Sequence, residues 1–479
     1  MNFSIRNIKN KNRTFLFLLI SIISLLNISN NEVLRIPFKT ELYSSIPSNI
    51  MSEEEIKNYV MNLIRKNIYI ELEIGTPSQK IKSYLKLEEF PFFIHGKDIS
   101  LSNYNETKSL TYKAEKYPHV FLDGVEQIKW GYVSNDTINI INMGKTIKEF
   151  NFILVTETKS ESPSNIGLMI PNQYCSIPEI SFINQLKKHE IINDYSFIIN
   201  YTNYEKGEGE FIIGGAPHFY DNKYNESHYK TVYAIEKPKY MMYGLEFNLI
   251  NYGNETIIGG SMQCKFLSDF GLIAGTLNYY EIILEKFFDD KIKNKLCFKD
   301  NLKINIEWRE GVKNFEYFYC KKNVNISEMQ NLKFIHHEMN FIFEFNYNEL
   351  FDEIDNYYIF KVIFPKSSNF YWMFGRPWLQ KYLMVFDQDK KTLGYYNYIY
   401  DPYSTNKIKN ENNKNNISII IIVIILFIIL VVFGLFFIFY CLKKDNRKKR
   451  INEINEDYEY SQENNNKDNL INNGLVLNE

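Results

Sequence analysis

The stretch Tyr69–Ile94 (YIELEIGTPSQKIKSYLKLEEFPFFI) constrains the fold of this chain more than any other. Ile70, Leu72 and Ile74 alternate with other residues, Gly75-Thr76-Pro77 interrupts the run, and Ile81, Ser83 and Leu85 resume it before the apolar patch Phe90–Ile94. A period of two sends successive side chains to opposite faces, so each arm reads as a strand with one buried face and the Gly/Pro stretch as the turn of a β-hairpin. The remaining chain has the material to cover that face. The 479 residues of the whole chain are 45% hydrophobic, enough for more than one core, and the abundant Tyr, Phe and Ile favour strands. The net charge of −2 leaves no broad basic surface, and nothing in the chain resembles a nucleic-acid module.

Two segments belong to targeting rather than to the fold. Arg6, Lys9, Lys11 and Arg13 precede the apolar core Phe15–Leu26, the order of a secretory signal peptide. Residues 417–441 are uncharged, apolar and long enough to span a bilayer, and Lys443, Lys444, Arg447, Lys448, Lys449 and Arg450 follow at once. A basic cluster directly after a span marks its cytosolic side. The expectation is a single-pass type I membrane protein on the secretory or endolysosomal route or at the cell surface. Asn105, Asn135, Asn200, Asn225, Asn254 and Asn325 each open an Asn-x-Ser/Thr glycan acceptor sequence.

The hairpin resembles the first active-site hairpin of the pepsin-like aspartic peptidases, in which Ile-Gly-Thr-Pro-x-Gln, a strand, Asp-Thr-Gly-Ser and an apolar segment follow in order. Further landmarks come in family order. His119–Ile140 resembles the flap hairpin and the strand after it, with Phe121, Asp123 and Gly124 at the flap tip. Asn165-Ile166-Gly167-Leu168-Met169 resembles the Asp-Gly-Ile-Leu-Gly-Leu segment, and Ile180–Lys188 the helix behind it. Phe211–Ala216 resembles the strand and Gly-Gly turn that open the second lobe, and Phe266–Ile273 the second active-site loop. Trp372-Met373-Phe374-Gly375, Tyr382–Asp387 and Thr392–Tyr396 resemble the C-terminal signature. The resemblance implies an all-β, bilobal fold with a central cleft, carried on one C-terminal transmembrane helix. It divides the chain into a signal peptide (1–29), a lead-in or remnant propeptide (30–66), an N-terminal lobe (67–200) and a C-terminal lobe (201–400). A stalk (401–416), the span (417–441) and a cytosolic tail (442–479) complete it. Within the lead-in, Ile56, Val60 and Ile64 share one helical face. The resemblance also implies a disulfide between Cys297 and Cys320. Cys264 lacks its usual near partner, pairing with Cys175 is open, and Cys441 stands at the end of the span where palmitoylation occurs.

The chemistry departs from the family. Eleven residues beyond Gly75, where the family has its first catalytic aspartate, this chain has Lys86, and Leu87, Glu88 and Glu89 replace the Thr, Gly and Ser. In the second loop the resemblance puts Asp269 at the acid position, followed by Phe270 and Gly271. Leu87 and Phe270 then replace the threonines whose hydroxyls cross-link the two loops. An aspartic peptidase needs two carboxylates about 3 Å apart that share a proton around a water. A lysine has no acceptor and pairs with the remaining acid instead, so Lys86 and Asp269 are expected to form an ion pair on the cleft floor. The expected function is a catalytically impaired peptidase homologue that binds a peptide or protein segment in the cleft. Two alternatives stand beside it: an active endopeptidase using Asp269 with Glu88, and a structural surface glycoprotein with an unused cleft. No cofactor or metal is expected. Asp269-Phe270-Gly271 lacks the other kinase motifs, His336-His337 point to opposite faces of a strand, and Asp387-Gln388-Asp389 falls in a family turn.

Overall fold

The predicted hairpin forms and organises the first lobe. In a computed structural model of the chain, β1 (Leu34–Thr40), α1 (Glu53–Ile64), β2 (Ile68–Ile74), β3 (Gln79–Lys86) and β4 (Phe92–His95) open the fold. The described residues are 33–41, 52–64, 67–99, 104–123, 127–140, 144, 146–158, 164–170, 178–237, 240–305, 312–336, 341–366, 372–397 and 450. β2 and β3 pair antiparallel from Tyr69↔Tyr84 to Ile74↔Gln79, and Ile70, Leu72, Ile74, Ile81 and Leu85 are buried on the face that the alternation marks. Gly75 turns the chain at φ 89°, a conformation that a side chain disfavours.

Among the described residues the strands form a 14-stranded sheet, an 11-stranded sheet and a small ribbon. The protein is therefore mostly β with two large sheets, as a pepsin-like fold requires. The expected lobe boundary at 200/201 falls inside the strand Ser196–Asn203, which pairs with Glu208–Ile213 and, through Ser196 and Phe197, with Val385–Asp387. The late strands Val385–Asp387 and Thr392–Tyr396 thus return to the first sheet, and the described residues from 33 to 397 make one compact unit.

The lead-in is part of this architecture. β1 lies between β2 and Glu208–Ile213 and pairs with both. α1 is capped by Ser52, whose hydroxyl accepts from the Glu55 N–H while the Glu55 carboxylate accepts from the Ser52 N–H. Glu53, Glu54 and Glu55 put negative charge at the helix N-terminus, where the backbone dipole favours it. Its buried face comprises Ile56, Tyr59, Val60, Leu63 and Ile64, the expected stripe widened by Tyr59 and Leu63.

The second lobe is built on β6 (Glu255–Phe266), β7 (Ile273–Ala274) and β8 (Trp372–Phe374), the counterparts of β3, β4 and a short strand β5 (Asn165–Gly167) in the first. Its core is aromatic: Trp372 and Trp378 are fully buried, and Phe374 stacks on Trp378. Cys297 and Cys320 face each other across an antiparallel pair and form the disulfide that the resemblance implies. Cys264 is a buried free thiol. The signal segment, Cys175, Gly124 at the flap tip, the stalk, the apolar run 417–441 and Cys441 lie outside the described residues. Among those described, no helix is long and apolar enough to cross a membrane.

Candidate functional site

Lys86 is the last residue of β3 and Asp269 stands in the loop between β6 and β7. Parallel pairing of β3 with β5 delivers Lys86 opposite Gly167, and the loop after β6 brings Asp269 to it from the other lobe. The Lys86 ammonium donates to Asp269 Oδ2 at 2.7 Å and lies 3.6 Å from Glu88 Oε1. Its side chain is 6% exposed, against 21% for Asp269 and 13% for Glu88. The ion pair expected from the sequence is present, and the ammonium bridges the two acids that the alternative enzyme would need as its dyad.

Burial by itself pushes Lys86 down. The carboxylates of Asp269, Glu88 and Glu89, with the hydrogen bond to Asp269, outweigh it and hold Lys86 well above its ordinary value. Glu88 moves the same way for other reasons: burial and the nearby Asp269 push its carboxyl well above the usual carboxylate range, against the pull of Lys86. Neither Glu88 oxygen accepts a hydrogen bond from the described residues. Glu89 is buried and takes a hydrogen bond from the Asn165 amide, and Leu87 and Phe270 are buried apolar neighbours.

Three independent observations fix which second-lobe residue corresponds to Lys86. Phe266 pairs in parallel with Phe374, which carries the next residue, Leu267, opposite Gly375 as Lys86 stands opposite Gly167. The Gly167 N–H donates to Pro91 O at 3.0 Å and the Gly375 N–H donates to Leu272 O at 3.1 Å, each five positions beyond Lys86 and Leu267. The Ser268 hydroxyl, one residue after Leu267, accepts from the Leu87 N–H (3.1 Å) and donates to Leu85 O (2.6 Å), clamping the backbone on both sides of Lys86. The counterpart of Lys86 is therefore Leu267, and the counterpart of Glu88 is Asp269. The placing of Asp269 at the second acid position is corrected by two residues. The loop cross-link that Phe270 was expected to have lost is made on the second-lobe side by Ser268.

Residue type along the second loop points to Asp269-Phe270-Gly271 and hides Leu267 and Ser268. Spacing carried the signal: Phe92 opens β4 six residues beyond Lys86, and Ile273 opens β7 six beyond Leu267. The backbone of His119–Asp123 pairs with Gln127–Gly131, which puts Phe121 and Asp123 on one arm of a hairpin. A family model described as eukaryotic aspartyl protease matches residues 68–397. No curated protein matches the chain.

Proposed function

Because the chain belongs to the eukaryotic aspartyl protease family, whose model spans residues 68–397, we propose that it is a catalytically impaired member. It is held at a membrane by its C-terminal apolar segment, on the secretory route or at the cell surface, and it binds a peptide or protein segment in the cleft. The observation that carries this reading is the Lys86–Asp269 ion pair at 2.7 Å, with Leu267 at the counterpart of Lys86. Acid peptidase chemistry needs a water between two carboxyls that share one proton. At these two positions the chain has an ammonium and an aliphatic side chain, and neither can take a proton from water at acid pH. The cross-link through Ser268 keeps the lobes' loops together without the chemistry, which suits binding.

One observation favours a second reading, an active endopeptidase. Glu88 and Asp269 are counterparts in the two lobes, both lie against the Lys86 ammonium, and the raised proton affinity of the Glu88 carboxyl is one half of what such a dyad requires. Against it, the Lys86 ammonium occupies the Asp269 oxygen that would hold the water.

Peptide-library hydrolysis by the full-length chain at roughly pH 3 to 6, where such dyads operate, separates the two. No cleavage is expected from the native chain. A Lys86→Asp, Leu87→Thr, Glu88→Gly, Leu267→Asp variant is expected to gain some. Native cleavage that Asp269→Asn and Glu88→Gln each abolish would establish the enzyme instead.

A further inference from the structure

Arg376 carries a guanidinium that the chain does not neutralise. It opens the short helix Arg376–Lys381, and its backbone N–H donates to Phe270 O at 2.8 Å, which fixes it beside the second-lobe loop. The residue is half-buried and its Nε is buried without a hydrogen-bond partner. Among the described residues the side chain makes no ion pair. A buried donor on a charged group is costly to leave unpaired, so it calls for an acceptor from elsewhere.

A second cation stands next to it. The Ile273 N–H donates to Lys361 O at 3.0 Å and the Gly375 N–H donates to Leu272 O at 3.1 Å, so Lys361 and Arg376 flank the segment Phe270–Ile273 on its two sides. The one ion pair of Lys361 among the described residues is with Asp352 Oδ1 at 3.9 Å, beyond hydrogen-bond reach. Asp352 Oδ2 already accepts the Tyr59 hydroxyl at 2.6 Å. Glu349, the other acid that acts on Lys361, is held by Lys381 at 2.6 Å. Burial pushes the Lys361 amine below its ordinary value; Asp352 and Glu349 oppose this, and Arg376 adds to it. With Glu349 and Lys381 cancelling, Arg376 and Lys361 leave one positive charge beyond Asp352.

We propose that Arg376 and Lys361 form a binding site for a carboxylate. The planar fork of the guanidinium takes two coplanar oxygens side by side, and the Lys361 ammonium reaches one of them as a point charge. A monoanion balances the excess charge, whereas a dianion such as sulfate exceeds it. The Lys361 side chain is 23% exposed and that of Asp352 35%, so the site is open to a group arriving from water. That group is a free carboxylic acid or the carboxyl end of a peptide, which share this chemistry. The site does not depend on the peptide-holding function proposed above.

The test is thermal unfolding of the full-length chain at neutral pH while sodium acetate replaces sodium chloride at fixed ionic strength. The melting temperature is expected to climb with acetate, because a ligand taken up by the folded chain alone stabilises it. Arg376→Gln should lose this response, so the gap between native and variant chains widens as acetate is added. Arg376→Lys, which keeps the charge and loses the fork, should weaken the apparent affinity about tenfold, and Lys361→Met should weaken it as well. These two variants decide the matter if Arg376→Gln does not fold. No response in the native chain, a parallel response in native and variant chains, or a larger response to sulfate than to acetate would overturn the proposal. Displacement of carbon-13-labelled acetate, followed by magnetic resonance, then identifies the source. Displacement by N-acetyl-dialanine but not by its amide assigns the site to chain ends, and failure of both assigns it to free acids.

Discussion

Lys86 is surrounded by more acid than one ammonium can balance. Asp269, Glu88 and Glu89 all act on it, and Glu88 responds by keeping its proton well above the usual range. A carboxyl with a raised folded value binds more protons folded than unfolded, so its contribution to stability is full below the ordinary value of 4.5 and is lost as pH rises toward the folded value. Glu88→Gln removes that loss. The melting temperature of the variant relative to the native chain is expected to climb steadily from pH 4 to neutrality in thermal unfolding followed by circular dichroism. A difference that stays constant over that range would mean that Glu88 is ionised in the folded protein.

Among the elements, the two loops after β3 and β6 depend on one hydroxyl. Ser268 is 1% exposed, and its Oγ serves a backbone donor and a backbone acceptor of the opposite lobe. Ser268→Ala leaves both groups unpaired in a buried place, which costs about 1–3 kcal/mol for each such loss. Urea unfolding should show a lower midpoint with an unchanged slope, and Ser268→Thr, which keeps the hydroxyl, should recover most of it. A native midpoint in the alanine variant would show that water replaces the cross-link at no cost. The helix α1 belongs to the same scale. Its periodicity and its Ser52/Glu55 cap are local properties of the sequence, but the face it covers is formed by residues from 267 to 373.

For the whole molecule, the shared sheet joins the lobes into one unit, since Val385–Asp387 pairs with Ser196 and Phe197. A change confined to the second lobe should therefore be felt in the first. Replacing Cys297 and Cys320 by Ala opens a loop of sequence separation 23, removing restraint on the unfolded chain of about 3 kcal/mol. Hydrogen exchange of β2 and β3 amides by global unfolding is expected to speed up along with that of the second lobe. Unchanged exchange in β2 and β3 would show two lobes that unfold separately.

The sequence by itself determined the elements. Alternation specified β2 and β3, Gly75 their turn, and the spacing of Ile56, Val60 and Ile64 the helix, because each depends on neighbours a few residues apart. The tertiary structure decided the correspondence between lobes. That Leu267, and not Asp269, matches Lys86 follows from ladder register and from hydrogen bonds between strands more than 70 residues apart in the chain. Residue type along one loop cannot report such pairings. The place of α1 was decided in the same way. An amphipathic stripe states that a helix must cover something apolar, and only the folded second lobe, with Gly271 leaving room for the Leu63 carbonyl, supplies the surface that it covers.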